Sequence, residues 1–248
     1  MTVDDRRRLR RPPIQVSTWR GDDRTAVVTA SPDRRPPTAD DVEDCLDRLV
    51  ESGFVHAITG ALHAHELDPF ISAGFTVRER LHLLRIELDS TRPRSTVSTG
   101  SPMYTRRARR SDRNAVLRLD HRAFDDFWAL DAAGLHDAVK ATPVSRFRVW
   151  AEPGRGSAIS GYAVTGRAGG RGYIQRLAVD PDQARRGIGG ALVADALAWL
   201  SRGGATVALV NTQDKNRAAL GLYLACGFHL EPSGLTVMER PLRSDRDR

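Results

Sequence analysis

The hydrophobic positions of this 248-residue chain change their period several times, and each change marks an element. Over 191–200, Leu192, Val193, Ala196, Leu197 and Leu200 fall on one stripe, which predicts a helix. Arg202–Gly204 follow, and glycine suits the left-handed residue that closes a helix. Apolar runs at 146–152, 158–166 and 172–180 predict three strands upstream, and 205–211 predicts a fourth. Helical stretches at 113–124 and 127–142 precede them. A helix over 214–226 and short strands around 228–231 and 235–240 follow. Mixed elements in this order predict an α/β fold, a central mixed sheet with helices on both faces.

Residues 14–88 repeat the end of that pattern in a shortened form. The pattern predicts a strand at 25–31, a helix at 39–52, a strand at 54–60, a short helix ending at Gly74-Phe75 and a strand over 76–88. Gly74-Phe75 stands where Gly227-Phe228 stands later. Aligning the two pairs sets Phe70 opposite Tyr223 and His63 opposite Asn216. The first copy lacks the polar groups of the second and has no glycine-rich turn, so it is expected to be chemically silent. The Ser/Thr/Pro/Gly-rich stretch 89–102 reads as a linker. Residues 1–13 and 243–248 read as tails, leaving domains at 14–88 and 103–242.

Composition adds little to this picture. Hydrophobic residues make up 40% and aromatics 6%, and no apolar run approaches the roughly 18 residues of a membrane helix, so no membrane partner and a cytoplasmic location are expected. The arginines near Met1 have no apolar segment behind them and do not form a secretory signal. Cys45 and Cys226 lack metal-site spacing and read as small buried hydrophobes, with no metal implied. The net charge of +7 suggests an anionic partner. The runs at Arg6–Arg11 and Arg106–Arg113 carry no interleaved aromatics, which favours solvated surface over a nucleic-acid patch.

Chemistry concentrates in 174–193. A strand runs into Arg185-Arg186-Gly187-Ile188-Gly189-Gly190, and a helix opens at Ala191. Glycines let backbone approach a ligand closely, and the first helical amides have no internal partner. With the helix dipole these amides can hold a diphosphate. Alone, such a turn also fits a plain strand–helix connection. A Walker loop is excluded because no Lys-Ser/Thr follows the glycines, and a dinucleotide fingerprint because G-x-G-x-x-G is absent.

This stretch resembles motif A of the GNAT superfamily of N-acetyltransferases, Gln/Arg-x-x-Gly-x-Gly/Ala. Gly187 and Gly189 match, and Ala184 stands at the Gln/Arg position. Downstream, Asn216, Ala219, Leu222, Tyr223 and Gly227-Phe228 match the family pattern Asn-x-x-Ala-x-x-Leu-Tyr followed by Gly-Phe. The similarity covers roughly 103–242. The resemblance implies acetyl-CoA as co-substrate, with contacts from Leu177, Ala178, Val179, Arg185, Arg186, Gly187, Ile188, Gly189, Gly190, Ala191, Asn216, Ala219 and Tyr223. It assigns Tyr223 as the general acid, a backbone amide near Leu177 to the oxyanion, and 120–149 to the acceptor side. The plain alternative for Tyr223 is a core tyrosine, and Phe124, Phe127 and Trp128 serve equally as pocket wall or core.

Carboxylates expected as the base are replaced by Gln175 and Asn211, neither of which can take a proton; Asp125, Asp126, His121 and Glu231 are the remaining candidates. The expected partner is a small-molecule or peptide amine, bound by a monomer or homodimer. The competing readings are a CoA-binding pseudoenzyme and a nucleic-acid-binding regulatory module on the same scaffold.

Overall fold

The computed structural model describes residues 13–31, 34–88, 104–151 and 158–242. The sequence-read linker 89–102 and tail 243–248 lie outside these, as does the tail 1–13 except for its last residue. In chain order the strands are β1 (Ile14–Trp19), β2 (Asp22–Ala30), β3 (His56–Thr59), β4 (Thr76–Glu87), β5 (Thr105–Arg107), β6 (Val144–Ala151), β7 (Ile159–Ala168), β8 (Arg171–Val179), β9 (Val207–Gln213), β10 (His229–Leu230) and β11 (Leu235–Pro241). The helices are α1 (Ala39–Glu51), α2 (Asp68–Ser72), α3 (Arg113–Ala123), α4 (Ala132–Lys140), α5 (Ile188–Arg202) and α6 (Arg217–Ala225).

Two compact units form, Met1–Leu81 with Ser233–Arg248, and His82–Pro232. The division between these units runs through β4 and ahead of β11. Local patterning shows that a segment is a strand, but not which sheet accepts it.

In the first unit the strand order is β1-β2-β3-β11-β4. Strand β11 pairs antiparallel with β3 through Glu239↔Ile58 and with the first half of β4 through Leu235↔Leu81. Thr38 caps α1 by accepting from the Asp41 amide, and Asp41 returns the bond to the Thr38 amide at 2.8 Å. The buried face of α1 (Val42, Cys45, Leu46 and Leu49) packs with Phe70, Phe75 and Met238.

In the second unit the order is β4-β9-β8-β7-β6-β5, and β10 pairs with β4 through His229↔Arg85. One face carries α5 and α6, with Leu84, Ile86, Ile174, Val193, Leu197, Val210, Tyr223 and Phe228 in a common core. The other carries α3 and α4 over Tyr162, Val164 and Ala178. Asp195 on α5 receives Arg146 at 3.0 Å and lies 3.3 Å from the Arg148 Nε, which anchors the helix to β6.

The elements differ in detail from the sequence reading. Helix α5 begins at Ile188, ahead of the predicted 191, and Gly204 is its left-handed residue at φ +80°. Helix α4 covers only 132–140 of the predicted 127–142, because Asp131 caps it by accepting from the Gly134 amide at 2.6 Å. Strand β1 had no counterpart in the sequence reading.

Candidate acyl-transfer site

Strands β8 and β9 run parallel but pair only from Arg171↔Val207 to Tyr173↔Leu209. Beyond that point Ile174–Val179 and Val210–Gln213 make no ladder with each other. One edge of β8 is therefore left free, while its other edge stays paired to β7 through Ala163↔Leu177, Tyr162↔Ala178 and Gly161↔Val179. A bulge lies in the same stretch. Val164 pairs with Arg176 and Thr165 with Ile174, so Gln175 has no residue opposite. Both Gln175 and Arg176 consequently face the α3/α4 side, while Leu177 and Val179 pack on the α5 side with Ile188, Ala191 and Leu192.

After β8 the chain turns through Arg185, which has φ +60°, and Gly187, which has φ +78° and serves as N-cap of α5. Glycine takes this left-handed conformation without the Cβ penalty that other residues meet. The first bond of the helix is Ala191 N–H to the Gly187 carbonyl, 3.0 Å. Among the described residues, the amides of Ile188, Gly189 and Gly190 meet no acceptor. A Cβ on Gly189 would stand 3.0 Å from Leu222 Cδ2, so this glycine lets α6 close against the start of α5. A Cβ on Gly190 would meet nothing within 4 Å. Unpartnered amides, a dipole end and a free strand edge fit a diphosphate joined to an extended amide-bearing arm. Arg185 and Arg186 are exposed beside the turn, Arg186 donating to Gln183 Oε1.

Helix α6 corrects one expectation. The helix predicted over 214–226 starts only at Arg217, so Asn216 lies ahead of it. It is the N-cap, and its Oδ1 accepts from the Ala219 amide at 3.0 Å. The carboxamide nitrogen and the second lone pair of Oδ1 remain for other partners. Ala178 also separates from its neighbours, since its side chain lies in the α3/α4 core and only its backbone can serve the β8 edge.

Tyr223 is 5% exposed and its ring packs edge-on to Phe228 at 5.6 Å. The internal repeat explains this. Phe70 meets Phe75 edge-on at 5.5 Å, and each ring's backbone carbonyl accepts from the second phenylalanine's amide at 3.0 Å. Gly74 and Gly227 both make the left-handed turn between them, at φ +75° and +88°. The same packing motif thus exists with and without a hydroxyl, and the ring is core in both copies. The Tyr223 hydroxyl has no hydrogen-bond partner among the described residues. Burial pushes its pKa up, with a smaller upward push from Cys226 and an opposing effect of Arg176.

The candidate bases are dispersed. Gln175 extends over Gly166 toward Thr142, 3.3 Å from its Oγ1. His121 Nε2 lies 3.1 Å from the Leu130 carbonyl. Asp125 Oδ1 accepts from the Trp128 amide at 3.1 Å. Asn211 and Asp126 are exposed, and Glu231 is half-buried with its amide bonded to the Leu83 carbonyl.

One buried cluster was missed by the sequence reading. Asp120 on α3, 0% exposed, accepts from both Arg176 Nε (2.9 Å) and Nη2 (2.8 Å), from the Leu130 amide (2.6 Å) and from the Tyr162 hydroxyl. Arg176 Nη2 also donates to the Trp128 carbonyl at 2.6 Å, and its guanidinium lies 3.5 Å from the Phe124 ring centroid. The signal was available: Val116, Leu119 and Asp120 share the buried side of α3, and an aspartate there requires a buried cation.

The second unit is thus a sheet covered by helices on both faces, with a parted strand pair and a glycine-capped helix. The sequence model of the Acetyltransferase (GNAT) family matches residues 113–228, and these residues form a GNAT acetyltransferase domain. No protein of curated function matches the chain by sequence. Among solved structures, a "Tandem GNAT protein from the clavulanic acid biosynthesis pathway" superposes with TM-score 0.66 at 12% identity, over 90% of this chain and 76% of that one. A GCN5-related N-acetyltransferase from Sphaerobacter thermophilus gives 0.58 at 17% identity, over 93% and 76%. One from Kribbella flavida gives 0.58 at 15%, over 96% and 93%. At these identities the likeness is one of fold, and it spans both copies.

Proposed function

We propose that the chain transfers an acetyl group from acetyl-CoA to a primary amine, with an α-amine or another weakly basic amine as acceptor. The observation that carries this is the coincidence of two free backbone surfaces: the β8 edge beyond Tyr173 and the unpartnered amides of Ile188–Gly190. Acetyl-CoA supplies the activated thioester. The α5 amides, with Arg185 and Arg186 beside them, hold its diphosphate, and the edge from Leu177 to Val179 orients the arm as an added strand. The backbone near Leu177 then offers a donor to charge developing on the carbonyl oxygen. Ala219 leaves room beside the arm, and Asn216 has its carboxamide nitrogen to offer.

Tyr223 is the general acid. Its raised pKa keeps the phenol protonated throughout the working range. Burial equally disfavours the departing thiolate, so the proton moves between two groups penalised alike.

The scattered candidate bases favour one acceptor class. Removing a proton from a lysine amine of pKa about 10.4 costs about 4.6 kcal/mol at pH 7, and from an α-amine near 7.8 about 1 kcal/mol. A site without a strong base therefore suits the second. The test is turnover of acetyl-CoA with a panel of free-α-amine peptides and of peptides blocked at the terminus but bearing lysine. For the favoured acceptors, log kcat/KM should rise with unit slope to the amine's own pKa. Acetylation of lysine side chains alone would refute the acceptor class, and no turnover despite acetyl-CoA binding would leave a pseudoenzyme.

A further inference from the structure

We propose that Arg176, clamped by Asp120 and Tyr162, is a positioning residue that fixes the turn from Phe124 to Leu130 and thereby sets the acceptor side of the cleft; this rests on the acyl-transfer reading above. The turn belongs to neither α3 nor α4. The Trp128 and Ala129 amides reach the Asp125 carbonyl at 3.0 and 2.8 Å. Further anchors come from the buried cluster. Arg176 holds the Trp128 carbonyl at 2.6 Å and the Phe124 ring at 3.5 Å, and Asp120 holds the Leu130 amide at 2.6 Å.

The chemistry of the cluster excludes a role as the missing base. Both oxygens of Asp120 accept two bonds each, from Leu130 N and Arg176 Nη2 on one side and from Arg176 Nε and Tyr162 on the other. A carboxylate with four donors has no lone pair left for an incoming proton. Arg176 itself is 11% exposed and its charge is matched by a fully buried partner. The pair is thus a rigid joint, and its position gives it a functional consequence. Arg176 sits on β8 directly after the bulge at Gln175, in the segment where β8 has left β9. The residue that anchors the turn is therefore part of the strand whose edge receives the thioester arm. The turn carries Phe127 and Trp128, edge-on at 5.0 Å and both partly exposed. Their placement relative to β8 depends on a planar guanidinium reaching a carboxylate and a carbonyl together, which a lysine cannot do.

The test is Arg176→Lys in the full chain, with Tyr162→Phe as a milder second variant that keeps the buried ring and removes one donor to Asp120. Two readouts are needed. Amide hydrogen exchange at Ala129 and Leu130 should quicken at least tenfold in Arg176→Lys, with exchange in α5 and α6 unchanged. With an alanine-initiated tetrapeptide as acceptor, its KM should rise at least tenfold, while KM for acetyl-CoA stays within twofold and kcat within threefold. Tyr162→Phe should shift the same two quantities in the same direction, by less, and decides the matter if Arg176→Lys does not fold. Unchanged exchange at Ala129 and Leu130, or acetyl-CoA and peptide KM values rising together, overturns the proposal. If the unaltered chain acetylates neither peptides nor small-molecule amines, the acyl-transfer reading falls, and exchange alone judges the joint.

Discussion

Replacing Tyr223 by phenylalanine separates two roles that usually cannot be told apart in a buried tyrosine. The first copy has already made the exchange: Phe70 packs on Phe75 at 5.5 Å, as Tyr223 packs on Phe228 at 5.6 Å. The ring contact is therefore independent of the hydroxyl. That hydroxyl has no partner among the described residues, so its removal orphans no donor or acceptor. The stability change should stay within about 0.5 kcal/mol. Catalysis should respond otherwise. Positioned proton transfer contributes about 10²–10⁴-fold, so kcat should fall at least a hundredfold, about 2.7 kcal/mol of barrier. Titration with acetyl-CoA should return the same Kd. Thermal melting, calorimetric titration and steady-state turnover on one preparation suffice. Loss of stability beyond 1 kcal/mol with kcat intact would refute the reasoning and leave Tyr223 a core residue.

Other outcomes follow from the packing and the ion pairs. Leu84, although it precedes the 89–102 stretch, is buried in the core of the second unit, so Leu84→Ala should cost about 2–5 kcal/mol, read by chemical denaturation; no change would show that β4 does not complete that sheet. Arg106 bonds Asp112 at 2.6 Å and holds its carboxyl below the usual range. Asp112 therefore lends stability that is complete above its unfolded pKa near 4 and lost as pH falls toward the lowered folded value. Asp112→Asn should flatten the acid limb of the stability profile, and an unchanged limb would contradict the pair's contribution.

Much of the fold was legible because its elements are locally consistent. The stripe of α5 and the repeated Gly-Phe turns are written in hydrophobic period and in residues suited to positive φ. The parts that escaped are those set by distant partners. Strand β11 reads as a strand either way, and nothing in Leu235–Pro241 says that it pairs with β3 and β4. Asn216 was legible as a motif position, but its cap bond depends on where α6 starts. The bulge at Gln175 is invisible in sequence because it arises from mismatched register with β7. It moves Arg176 onto the face where Asp120 waits, which is why this residue of the strand before the glycine-rich turn was passed over.

The central claim is that the first amides of α5 hold the coenzyme's diphosphate, and Gly190→Glu tests it with two opposite signs. A Cβ at Gly190 would meet nothing within 4 Å, and replacing a helical glycine gains up to about 1 kcal/mol, so the melting temperature should hold or rise. The added carboxylate would face the diphosphate with up to about 4 kcal/mol of like-charge repulsion, and a hundredfold loss of affinity needs about 2.8. Calorimetric titration with CoA should therefore show Kd raised at least a hundredfold in a variant no less stable than the parent. An unchanged Kd in that folded variant would place the diphosphate elsewhere and contradict the account.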